Sequence, residues 1–149
     1  MKTIIKIMVL ILSVIPYSSI IAQNLSPARP SLFANAPDIV KAPIFQMDAA
    51  FSKAKGTAIQ LDLAPDFVFS GNIISSVKKY DKLSTIIVSS HGLNNTILCL
   101  SKIVNDDQTV SYVGHILSKD YADGYELKKS GDGSYAFKKI NMDDLIQDR

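Results

Sequence analysis

The chain has 149 residues, 47% of them hydrophobic, and a single cysteine; that length holds one domain around one core, and one cysteine excludes an internal disulfide staple. Lys2 and Lys6 carry the whole formal charge of +2, because the remaining 14 basic residues face 14 acidic ones, all after Gln23. No basic run exceeds pairs such as Lys78-Lys79, Lys128-Lys129 or Lys138-Lys139, which argues against the counterion-displacing patch of a nucleic-acid binder.

In chain order, Lys2 and Lys6 precede an apolar run from Ile7 to Pro16, and a polar Tyr17-Ser18-Ser19 leads to Ala22 before Gln23. This pattern predicts a signal peptide over residues 1–22. Its apolar stretch is shorter than the roughly 20 residues a bilayer span requires. No cysteine follows the expected cut, so a secreted or periplasmic product is expected, without a stable membrane anchor after cleavage. The Ala22-Gln23 junction resembles those of secretory proteins of Gram-negative bacteria.

Residues 23–44 hold Pro27, Pro30, Pro37 and Pro43 with no apolar period, which predicts a flexible, extended leader. A single β-rich domain is expected over 45–149. Phe45 to Lys55 carries a short helical pattern that Gly56 can end. The period then changes to two. Ile59, Leu61 and Leu63 alternate with polar or small neighbours, and further strand-like runs cover 67–77, 83–89, 96–104, 110–118, 125–129 and 135–140. The links between them are short and rich in Gly, Asn and Asp, and such links join antiparallel neighbours only. The expected fold is mainly β, an antiparallel meander of about seven strands forming a barrel or a sandwich. A last short helix is expected after Asn141, which can cap it. Gly71 and Gly114 sit at matched places in two strands, within Phe69 to Ser75 and Tyr112 to Ser118. Glycine inside a strand marks a bulge, a sharp bend or a close approach, all of which help a sheet curl.

Few residues carry the pattern of chemistry. Cys99 with His115 or His91 is the one nucleophile and base combination. A symmetric loop of two or four residues between their strands pairs Cys99 with Gly114, which sends Cys99 and His115 to opposite faces; a loop of five sets them opposite each other. Between Leu98 and Leu100, Cys99 is expected to be a small buried hydrophobe. The two histidines, His91 and His115, lack zinc-ligand spacing, and the acidic turns at Asp106-Asp107 and Asp120 to Glu126 do not match a calcium loop. No phosphate-cradling glycine loop or nucleophile elbow is present. The sequence therefore assigns no catalytic, cofactor-binding or metal residue, and predicts a non-enzyme without a cofactor.

Phe69-Ser70-Gly71-Asn72-Ile73, followed by Ser84-Thr85-Ile86-Ile87-Val88-Ser89-Ser90-His91-Gly92-Leu93, resembles part of the prodomain of reprolysin-type metallopeptidases. The resemblance covers about 25 of the 149 residues; the family's His-Glu-x-x-His helix, cysteine switch and catalytic domain have no counterpart. It implies a β-rich domain that binds or restrains a secreted peptidase and transfers no catalytic residue.

The expected function is that of a secreted, non-catalytic binding module for a protein partner, prodomain-like or inhibitor-like. Its expected surface is an edge strand or the loop His91, Gly92, Leu93, Asn94 and Asn95, since rigid scaffolds present function on loops. The alternative is a β-barrel carrier of a small apolar ligand, with a cavity lined by Phe67, Phe69, Ile73 and Tyr112.

Overall fold

A computed structural model of the chain describes residues 29–65 and 67–142. The expected signal peptide and the helix expected after Asn141 lie outside these residues, except that Asn141 itself ends a strand. The elements are β1 (Ile39–Lys41), α1 (Ile44–Phe51), β2 (Ala58–Ala64), β3 (Phe67–Lys79), β4 (Leu83–Ser90), β5 (Thr96–Val104), β6 (Val110–Ser118), β7 (Asp123–Lys129) and β8 (Tyr135–Asn141).

Strands β2 to β8 form the antiparallel meander that the two-residue period predicts, each pairing with the next in sequence. β1 pairs with β8, from Ile39 opposite Lys138 to Lys41 opposite Ala136. The sheet thus runs β1-β8-β7-β6-β5-β4-β3-β2 and curls into a nearly closed barrel, with β1 beside β2 but no ladder between them. β1 is a departure from expectation. It lies inside the stretch predicted as a leader, whose second half is part of the fold.

Curling rests on glycines and bulges. A Cβ on Gly71 would stand 2.1 Å from the Ser89 carbonyl oxygen of β4, and one on Gly114 would stand 2.7 Å from that of Cys99 on β5. Neither position accepts a side chain, so neighbouring backbones close in where the strands bend. Just past Gly71, Ile74 is an extra residue in β3, since Ile73 pairs with Val88 and Ser75 with Ile87. A bulge of this kind sharpens the local twist.

Alternate side chains point inward and fill the barrel with Phe69, Ile73, Leu98, Ile116, Tyr125 and Phe137, all essentially inaccessible. Burial of each is worth about 1.5–3 kcal/mol. Residues from the supposed leader close one end. Phe33, 3% exposed, packs edge-on against Phe67 and Tyr125 at centroid distances of 5.7 and 4.9 Å. The carboxylate of Asp123 accepts the backbone N–H groups of Leu32 and Phe33 at 2.6 and 2.8 Å, and the Ser31 hydroxyl as well. The Tyr125 hydroxyl donates to the Pro37 carbonyl at 2.6 Å. Burial, then the charges of Asp123 and Asp38, push this phenol up to about 12.

At the other end α1 buries Met47 and Ala50. Its Asp48 accepts from Lys102 Nζ and from the Tyr112 hydroxyl, both at 2.6 Å. These two donors, the lysine first, hold the Asp48 carboxyl below its usual range despite some desolvation. α1 is shorter than the pattern suggested. It ends at Phe51, and the Gly56 N–H donates to the Ile73 carbonyl of β3 rather than capping the helix.

Candidate functional site

The hairpin between β5 and β6 overturns the even-loop expectation for Cys99. Asn105 N–H donates to the Thr109 carbonyl at 2.8 Å and Gln108 N–H to the Asn105 carbonyl at 3.0 Å, with Gln108 at φ 65°. This is a three-residue turn inside a closing pair, an odd count. It sets Cys99 opposite His115 rather than Gly114. Cys99 is correspondingly half-buried on the outer face, not a core residue.

The pairing continues around the barrel. Ser75, Ile87, Cys99, His115, Glu126 and Lys138 follow one another across six strands. His115 Nε2 lies 3.9 Å from Glu126 Oε1, and Glu126 pairs with Lys128 at 2.7 Å. A thiol, an imidazole and a carboxylate therefore lie in the order nucleophilic chemistry uses. The electrostatics do not activate the thiol. Burial raises the Cys99 pKa, which favours the protonated form, and no hydrogen bond joins Cys99 to His115. The row lies on a convex sheet face, and none of the described cavities is lined by Cys99 or His115.

The loop 91–95 is exposed at four of its five positions and tied down by Leu93 and by hydrogen bonds of its asparagines. Leu93 packs against the core. The Asn94 carbonyl accepts from the Thr96 and Ser118 hydroxyls, and Asn95 Nδ2 donates to Asp120 at 2.5 Å. Asn95 also takes the left-handed conformation at φ 51°. His91, Gly92, Asn94 and Asn95 are nevertheless exposed; the His91 N–H donates to the Ser70 carbonyl at 3.0 Å.

The exposed features that converge lie at the seam between β1 and β2. β2 meets β3 on one side, and its other edge has no strand partner among the described residues. Ile73 N–H donates to the Thr57 carbonyl at 3.0 Å, which fixes the alternation along the ladder. The main-chain groups of Ala58, Gln60 and Asp62 consequently point away from β3. Asp62 N–H confirms that parity, because it donates instead to Gln46 Oε1 of α1 at 2.8 Å. Beside this edge lies a groove of about 210 Å³ lined by Phe45, Gln46, Ala49, Lys53, Ala58 and Gln60, among others. Phe45, on the first turn of α1, is 72% exposed. A second cavity, of about 610 Å³, lies on its other side, toward Lys41 and Tyr135.

Sequence reasoning missed this assembly because α1 and β2 each read as ordinary amphipathic elements. The available signal was Phe45 itself, a large aromatic at the start of a helix with the apolar Ile44 before it. Among the described residues no cluster of three or more His, Cys, Asp or Glu gathers for a metal, and no helix is long and apolar enough to cross a membrane. No family model, curated protein or solved structure matches the chain.

Proposed function

We propose that the chain is a secreted, non-catalytic module that works by binding another protein. The observation that carries this reading is the unpaired edge of β2 beside the exposed ring of Phe45. Unpaired strand edges recruit another chain unless they are blunted, and a solvent-facing aromatic next to one supplies the anchor that protein interfaces favour.

The carrier alternative needs an interior cavity. Phe67, Phe69, Ile73 and Tyr112, the residues that would line it, are buried in one cluster with their neighbours, so the packing favours binding at the surface. The half-buried, protonated thiol of Cys99 supports a non-catalytic role in the same way. The prodomain-like stretch from Phe69 to Leu93 makes a secreted peptidase the first partner to try.

The test is capture of partners from secreted proteins of the source organism by residues 23–149, run in parallel with Phe45→Asp. Recovery of a defined protein by the first and its loss with the second is the expected outcome. A purified chain that carries bound lipid and captures nothing sinks the proposal.

A further inference from the structure

We infer that the groove between α1 and β2 takes an extended peptide segment of a partner, added as a strand to the β2 edge and carrying an acidic residue at its Ala58 end. The inference rests on the protein-binding reading and names what that site recognises.

Backbone geometry selects an extended chain. Ala58 and Gln60 present outward N–H and C=O groups in strand spacing, an array that another extended backbone complements. At the third position of the series, Gln46 Oε1 already accepts from Asp62 N–H at 2.8 Å. A side-chain amide there occupies the place of an incoming carbonyl and shows that the edge is directed into the groove. Beyond it the pairing register of β2 with β3 shifts between Asp62 and Ala64, and Asp62 puts a charge on the edge. Bulges and charges of this sort discourage pairing. The segment Ala58 to Gln60 has neither.

The groove's lining of Ala49, Ala50 and Ile59, with Phe45 at the margin, suits alternate apolar side chains of a strand that lies along an open edge.

Charge fixes the polarity. Lys53 lines the groove and Lys55 follows it; both are exposed, and among the described residues no ion pair holds either one. Lys78, Lys82, Lys102, Lys128 and Lys139 each have a carboxylate within 4 Å, and of the described lysines without one, Lys53 is the one that lines this groove. At the far end Asp62 is tied to Gln60 Nε2 at 2.8 Å and repels a second acid. A glutamate or aspartate of the occupant therefore belongs beside Lys53. A second copy of this chain fits less well, because α1 flanks β2 in each copy and pairing two β2 edges would set the two helices against each other.

The probe is a phage-displayed library of random decapeptides selected on residues 23–149. Enriched sequences are expected to alternate apolar residues and carry an acid toward one end. A synthetic copy should shift the backbone amide signals of Ala58 and Gln60 in ¹⁵N correlation spectra. Lys53→Glu with Lys55→Glu should weaken it at least tenfold while leaving the unbound spectrum folded. Methylating alternate backbone nitrogens of the peptide should abolish binding, as should Ala58→Pro. Failure to enrich any peptide overturns the inference, and so does a peptide that binds equally well when N-methylated. A concentration-dependent dimer lost in Ala58→Pro also overturns it, in favour of the second copy. A captured protein partner whose binding survives Lys53→Glu and Ala58→Pro would refute the groove while leaving the protein-binding reading intact.

Discussion

Asp123 shows how much one side chain can organise. It begins β7 and is buried, yet it receives the N–H groups of Leu32 and Phe33 and the Ser31 hydroxyl, ninety residues away in sequence. Asp123→Ala strands the buried Phe33 amide without a partner, and we expect it to lower unfolding free energy by about 2–4 kcal/mol in urea titrations. A loss under about 0.5 kcal/mol, within the range of an ordinary surface substitution, would mean the latch is not needed. Nothing in the sequence marked this residue, because an aspartate beside glycine reads as a solvated turn. Cys99 makes the opposite point. Its type was legible and its face was not, since Asn105 to Gln108 looks like four turn residues and the hairpin uses three between Asn105 and Thr109. One residue of register decides which side of the sheet a side chain joins. With burial raising its pKa, the thiol should react with an aromatic disulfide reagent at neutral pH more slowly than free glutathione does. A faster reaction would return the Cys99, His115 and Glu126 row to consideration as a reactive centre.

Two hairpins of the barrel share one design. Asp107 Oδ1 accepts from the Thr109 N–H and hydroxyl at 2.9 and 2.6 Å, and Asp132 Oδ1 accepts from the Ser134 N–H and hydroxyl at 3.0 and 2.7 Å. The threonine and serine contacts hold both carboxyls below the usual range. The left-handed residue differs, being Gly133 at φ 85° in one turn and Gln108 at φ 65° in the other. Gln108→Gly should therefore stabilise the protein by about 0.5–1 kcal/mol, readable as a rise in the urea midpoint at constant slope. The helix carries a pH dependence. Asp48 has a folded pKa below its model-compound value of 3.8, so its contribution is present above that value and disappears as pH falls through the lower folded one. The melting-temperature gap between wild type and Asp48→Asn should be full well above the model-compound value and shrink as pH falls below it. A gap unchanged over that range would detach Asp48 from the stability of the helix plug. Strand positions were legible because inward and outward residues alternate cleanly from Leu98 to Leu100 and from Tyr112 to Ile116. β1 was not, since its three residues lie between Pro37 and Pro43; the apolar pairs Leu32-Phe33 and Ile39-Val40 in a proline-rich stretch were its trace.

At the scale of the molecule, closure depends on partners far apart in the chain. Residues 31–42 supply the Phe33 plug and β1, while β8 supplies the only ladder that β1 makes among the described residues. Ending the chain at Ser134 removes β8, frees both β1 and the outer edge of β7, and opens Phe137 and Tyr135 to loss from the core. We expect that truncated chain to show no cooperative thermal transition by circular dichroism, whereas a sharp melt would show the meander to be self-sufficient without closure. The strands that finish the circle pair residues about a hundred positions apart, a separation that slows folding through the entropy of loop closure. For a ribosome, which delivers a polypeptide one end first, each hairpin of the meander can pair as it emerges, but the closing contact of β1 must await β8. The first ordered stretch must wait, unmatched, for the last.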